Sequence, residues 1–156
     1  MESVQVQGLT LTYPEDFSVM DASERARLRF TEAGEGVCLT APEKHILISA
    51  AWKQTDPLLP RLLGSRELAA WTAKKVAKPM AFLDYKAGGL LRRDVGGRSL
   101  DGFSYTYTAN DIPMYGETLT VRVGRTLYYL HLYARQALKE ESLAIWEDLL
   151  AAARWE

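Results

Sequence analysis

Two residues, Gly124 and Arg125, constrain the fold of this chain more than any others. They separate two runs of strand-forming residues, and a two-residue loop with glycine first is the signature of a type II′ hairpin turn. Before the turn, Leu119, Val121 and Val123 alternate with Thr118, Thr120 and Arg122, the period of two of a half-buried strand. The turn sets the register of the next strand. Val123 then faces Thr126, Val121 faces Tyr128 and Leu119 faces Leu130, so Tyr128, Leu130 and Leu132 share the core side. The other side carries Leu127, Tyr129, His131 and Tyr133, opposite Arg122, Thr120, Thr118 and Gly116. A simple one-sided sheet would place charge there. Either a second layer covers this face or something binds it, and Leu127, Tyr129, His131 and Tyr133 are the candidate partner-binding residues.

The same pattern extends upstream. Gly96 and Gly97 suit a type I′ turn, which places Arg92 opposite Asp101, Leu90 opposite Phe103 and Gly88 opposite Tyr105. Long antiparallel strands are predicted over residues 81–94, 98–109, 114–123 and 126–134. Nearer the start, Leu9, Leu11 and Tyr13 alternate with threonines up to Pro14, and Phe17 and Val19 resume the pattern, so two short strands flank a proline turn. Ala26, Leu28 and Phe30 alternate with arginines and lead into a hairpin with residues 37–40. Residues 45–52, rich in large apolar and β-branched groups, form an internal strand. Pro57, Pro60 and Gly64 punctuate four leucines in an irregular or one-turn helical connector.

Two helices are expected. Ser65 offers an N-cap, Leu68, Trp71, Thr72 and Val76 fall on one face, and Pro79 ends the helix. The second carries the stripe Leu138, Ser142, Ile145, Trp146, Leu149 and Ala153, with Glu140 and Glu141 in its first turn.

Composition excludes several functions. Apolar residues are 47% and charged residues 25% of the chain, the usage of an ordinary globular protein. A formal net charge of −1 gives no field to draw the chain to nucleic acid or to an anionic membrane. Cys38 is the only cysteine, which removes an internal disulfide and a multi-cysteine zinc site. Residues 1–8 lack the basic start and apolar run of a secretory signal, and no apolar run nears the roughly 20 residues of a membrane span. A cytoplasmic location is the expectation.

Catalytic patterns are sparse. His131 lies beside Thr118, but no G-x-S-x-G elbow presents a nucleophile, and His45 opens a strand. Glu140 with Glu141, and Glu147 with Asp148, are adjacent on a helix and point apart, so neither is a metal clamp. No catalytic residue, metal or cofactor is assigned. Tyr105, Tyr107, Tyr115, Tyr128, Tyr129 and Tyr133 crowd the meander, and such rings suit both packed sheets and recognition patches.

The opening Leu9-Thr10-Leu11-Thr12-Tyr13-Pro14 followed by Phe17, the middle helix, Phe103-x-Tyr105, the Val121-x-Val123-Gly124-x-Thr126-x-Tyr128 hairpin and the closing helix together resemble the PsbP-like group. That group includes the extrinsic photosystem II protein, a eukaryotic Ran-binding import factor and bacterial DcrB-like proteins, some of them chaperones for secreted effectors. The resemblance implies an antiparallel sheet with helices on both faces and a non-enzymatic binding or assembly role. It brings no catalytic residues with it.

The expected molecule is one α+β domain over residues 1–156: a twisted antiparallel sheet of about six strands with helices on both faces, in an α/β/α sandwich. Its expected work is non-catalytic binding of a protein partner, as an accessory or chaperone-like module. One alternative is a small-molecule or lipid binder with an apolar pocket between sheet and helix, lined by Trp71, Tyr105 or Trp146. A second is a hydrolase centred on His131 with a nucleophile in hydrogen-bond reach.

Overall fold

The computed structural model describes residues 1–21, 35–54 and 64–156. Its α+β architecture is built on a seven-stranded, wholly antiparallel sheet among these residues, in the spatial order β3-β4-β5-β9-β8-β7-β6. The strands are β3 (Ser18–Val19), β4 (Glu35–Ala41), β5 (Ile46–Gln54), β6 (Lys86–Val95), β7 (Arg98–Ala109), β8 (Ile112–Val123) and β9 (Thr126–Arg135). A smaller three-stranded sheet joins β1 (Glu2–Val6), β2 (Leu9–Tyr13) and β10 (Arg154–Trp155). Two α-helices are described, α1 (Ser65–Met80) and α2 (Lys139–Ala151). The hairpin expected to begin near Ala26 and the connector after Gln54 lie mainly outside the described residues.

The β8–β9 register is the one the turn dictates: Val123 pairs with Thr126, Val121 with Tyr128, Leu119 with Leu130 and Gly116 with Tyr133. Gly124 has φ +64° and Arg125 has no positive φ, which is the type II′ pattern. At the β6–β7 turn both Gly96 and Gly97 have positive φ, 57° and 84°, as type I′ requires. Arg92 pairs with Asp101 and Leu90 with Phe103, but the ladder slips at Gly88, so Ala87 rather than Gly88 faces Tyr105. The cause is a bulge next to Gly89, whose φ of +109° suits glycine. The glycine under the Tyr105 ring is instead Gly116, where an added Cβ would lie 2.4 Å from a ring carbon.

One face of the large sheet, with Leu119, Val121, Tyr128, Leu130 and Leu132, packs on the small sheet and α2 through Leu9, Leu11, Trp146, Leu149 and Leu150. The C-terminal strand locks this layer: Trp155 Nε1 donates to the Val95 carbonyl at 2.7 Å, the Trp155 ring meets Tyr128 edge-on, and the Tyr128 hydroxyl donates to the Gln7 carbonyl. The opposite face lies under α1, whose Leu68 packs with Leu127 and Tyr129, while Met80 packs with Phe103, Tyr105, Tyr107 and Tyr133. Helices therefore cover both faces.

Two details of α1 differ from expectation. Its N-cap is Gly64, without a side-chain cap, because the Ser65 hydroxyl bonds to Asp101 instead. Trp71 is 45% exposed with Lys75 Nζ 4.0 Å over its ring, and fully buried Ala69 takes the sheet contact. A helix lying close on a sheet has room for a methyl group there and none for an indole.

Nothing lies within 4 Å of a Cβ added at Gly124, so substitution there costs backbone strain alone. Gly124→Val is expected to destabilise by about 1–3 kcal/mol in thermal melting, with Gly124→Asn close to wild type. An unchanged melt for the valine variant would remove the turn as a register determinant.

Candidate functional site

Leu127, Tyr129, His131 and Tyr133 are all buried, none more than 5% exposed. The first two sit under Leu68 of α1, and Tyr133 joins the Met80 cluster with its phenol raised far above the ordinary range by burial. The His131 ring stacks on Tyr133, centroids 5.9 Å apart. Its Nδ1 lies 2.7 Å from Thr118 Oγ1, and its Nε2 is buried without a hydrogen-bond partner among the described residues. A hydroxyl and an imidazole thus meet at the spacing of a nucleophile and its base. Both are sealed, Thr118 at 0% and His131 at 1% exposure, and burial pushes the imidazole down to about 4. The pair packs the β8–β9 rung.

Two open clefts lined by described residues flank the sheet. One, of about 360 Å³, lies between the first turns of α1 and the outer strands, lined by Arg66, Ala69, Leu90, Leu91, Arg92 and Asp101. Burial works against the Asp101 carboxylate, but bonds from Ser65 and Arg92 hold it below the usual range. The other, of about 520 Å³, is lined by Glu43, Lys44, Leu138, Glu141, Ala144 and Ile145. The pocket expected around Trp71, Tyr105 or Trp146 is not one of these, since Tyr105 and Trp146 are each 0% exposed in separate cores. Among the described residues no group of three or more His, Cys, Asp or Glu side chains gathers as a metal site would need.

The polar centre of the molecule is Glu117, which sequence reasoning passed over. It is 0% exposed and pairs with Leu132 on the α2 side of the sheet. Arg93 of β6 grips it with two bonds, Nε to Oε1 at 2.5 Å and Nη2 to Oε2 at 2.7 Å. The Tyr115 hydroxyl donates to Oε2 at 2.7 Å and Trp146 Nε1 of α2 to Oε1 at 3.0 Å. Arg93 also reaches Glu147 of α2 at 3.0 Å. The signal was available: Glu117 shares the parity of Leu119 and Val121, a charge in a core position.

Removing one charge of this group leaves the other buried and unbalanced. Glu117→Gln is expected to cost about 3–5 kcal/mol in urea unfolding, and a loss under about 1 kcal/mol would show that the network is incidental. His131 gives a pH test. Its folded value of about 4 lies below the ordinary 6.5, so between them the unfolded chain takes up a proton that the folded chain refuses. Its contribution is complete above pH 6.5 and is lost as pH falls through 4; at about 1.4 kcal/mol per unit this is about 3 kcal/mol. His131→Phe should flatten that part of the stability profile, and an unaltered slope would place the acid sensitivity elsewhere.

No protein-family model matches the chain, and no curated protein matches its sequence. Solved structures do match in shape. Cyanobacterial PsbP (CyanoP) of Synechocystis sp. PCC 6803 superposes with a TM-score of 0.68 at 13% identity, over 99% of this chain and 92% of that one. LpqN of Mycobacterium tuberculosis, involved in cell envelope biogenesis, gives 0.56 at 15% identity, over 94% and 82%. A Bacteroides thetaiotaomicron protein gives 0.59 at 7% identity, over 96% of this chain and 45% of its own length. The two-faced sheet closed by a terminal helix is thus shared almost end to end with CyanoP, and the chain has the PsbP-like fold.

Proposed function

We propose that this protein is a non-catalytic accessory domain that binds another protein. The observation that carries the reading is an inversion of what an enzyme needs. The one hydroxyl–imidazole pair described is sealed, with its imidazole held neutral, while Trp71, Phe82 and Leu90 stand 45%, 83% and 46% exposed. A general base must reach solvent or substrate to work, whereas exposed aromatic and aliphatic groups are what interfaces desolvate. The PsbP-like fold supports the reading, because likeness to that group implies binding and assembly rather than catalysis. In this reading Leu127, Tyr129, His131 and Tyr133 serve binding indirectly, by holding α1 against the sheet.

A second reading has its own observation. The cleft of about 520 Å³ has Leu138, Ala144 and Ile145 in its wall beside Lys44, dimensions and chemistry that suit a small amphipathic molecule. Affinity capture from the native cell followed by mass spectrometry separates the two. A reproducible protein partner, lost from a Trp71→Ser, Phe82→Ser double variant that keeps its melting temperature, is the expected result. Absence of any protein partner, together with a small molecule carried through native mass spectrometry, would overturn it.

A further inference from the structure

We infer that the outer edge of β6 is a docking strand for an extended, acidic segment of a partner protein, a proposal that rests on the protein-binding reading above. β6 ends the large sheet, and among the described residues it pairs only with β7. Its two-residue turn closes on the pair Val95 and Arg98, and hydrogen-bonded pairs recur at every second rung of an antiparallel ladder. Arg93 and Leu91 are therefore bonded to β7, whereas Leu90, Arg92 and Asp94 turn their N–H and C=O groups outward. Exposed edges of this kind are normally blunted by bulges and charge. Here the bulge at Gly88 and Gly89 and the charge of Lys86 blunt only the first half, and the stretch from Leu90 to Asp94 remains a regular edge among the described residues.

Two side chains of this edge, Leu90 and Arg92, line the cleft beside α1. Leu90 is 46% exposed. The Arg92 side chain is 68% exposed and uses Nε on Asp101 at 3.0 Å, which leaves its two Nη groups without a hydrogen-bond partner among the described residues. Arg66 lines the same cleft. Two cations face one anion above an apolar floor of Leu90 and Ala69. A strand added to this edge puts residues i and i+2 on that face, and the matching pair is an apolar residue over Leu90 and a carboxylate between Arg92 and Arg66. A second copy of β6 is disfavoured as the occupant. Antiparallel self-pairing centred on Arg92 brings two Arg92 and two Arg66 side chains together, which like-charge repulsion opposes.

The test uses the full chain and an acetylated, amidated heptapeptide that alternates valine with glutamate. Bound peptide should slow exchange of the Leu90, Arg92 and Asp94 amides, with the Leu91 and Arg93 amides unchanged by comparison, and a valine–lysine peptide should not bind. Arg92→Gln keeps the amide and loses the charge, and should weaken binding about tenfold. Arg92→Pro loses both and should abolish it; Asp94→Pro, which removes an outward amide and a repelling carboxylate together, serves the same end if Arg92→Pro unfolds. Undiminished binding to the proline variants, or no binding by the wild type, overturns the proposal. A dimer in sedimentation that Arg92→Pro dissolves also overturns it, in favour of self-pairing. A native partner still captured by Arg92→Pro overturns the edge while leaving the protein-binding reading intact.

Discussion

A carboxylate with no access to water sits where β6, β8 and α2 meet, and the arrangement of the molecule depends on how its charge is met. Moving a lone carboxylate into a protein interior costs several kcal/mol even after relaxation. Glu117 recovers this only because four donor groups converge on it: two from Arg93, one from Tyr115 and one from Trp146. Those donors belong to residues 24, 2 and 29 positions away in sequence. Docking α2 in another register, or slipping β6 by one residue, would strand the charge. Such a slip already turns apolar side chains to the wrong face, and here it would also leave a buried charge unpaired, so the network supplies specificity even where its net contribution to stability is small.

Local rules made the meander legible. Two turns whose types follow from Gly124 and from Gly96 with Gly97 set the strand residues around them opposite the partners they have in the structure, and the register slipped only where Gly88 and Gly89 allowed a bulge that alternation does not encode. The first strand, Glu2–Val6, was missed because Ser3 and Gln5 dilute its pattern and its partner β2 supplies the burial. Glu117 was missed for a different reason. Alternation assigned its parity, but a charge on the core side is meaningful only when its counter-ion is known, and Arg93 lies on β6, whose register places it opposite Leu100 of β7 and says nothing of Glu117 one strand further on.

The covered face obeys a complementary rule. Period-two alternation left open whether Leu127, Tyr129, His131 and Tyr133 are covered by a second layer or bound by a partner, and it could not say how close a covering layer would sit. α1 comes near enough that Ala69 and Thr72 make the contact, and the Thr72 hydroxyl turns back to the Leu68 carbonyl at 2.8 Å. Trp71, the largest residue in the expected stripe, is displaced to the side where Lys75 lies over it. Helical periodicity ranks residues by hydrophobicity, while the packed interface selects by volume. The aromatic belt under α1 holds together by ring contacts, Tyr85 on Tyr105 at 5.4 Å and Tyr105 on Tyr107 at 5.9 Å.

Both constraints, buried charge and close packing, meet in β6. Its inward residues are fixed: Val95 is buried, Leu91 packs on the main core, and Arg93 is held by Glu117 and Glu147. Ordering a strand costs about 1–2 kcal/mol per residue in backbone entropy, and here the buried network and the β7 ladder have already met that cost. The outward residues Leu90, Arg92 and Asp94 are therefore presented on a rigid rail rather than a flexible loop. A partner segment that pairs with them loses only its own freedom, which is how preorganisation turns a short edge into a binding surface. The buried carboxylate thus acts beyond stability: by holding one side of β6 still, it sets the geometry in which the other side is available.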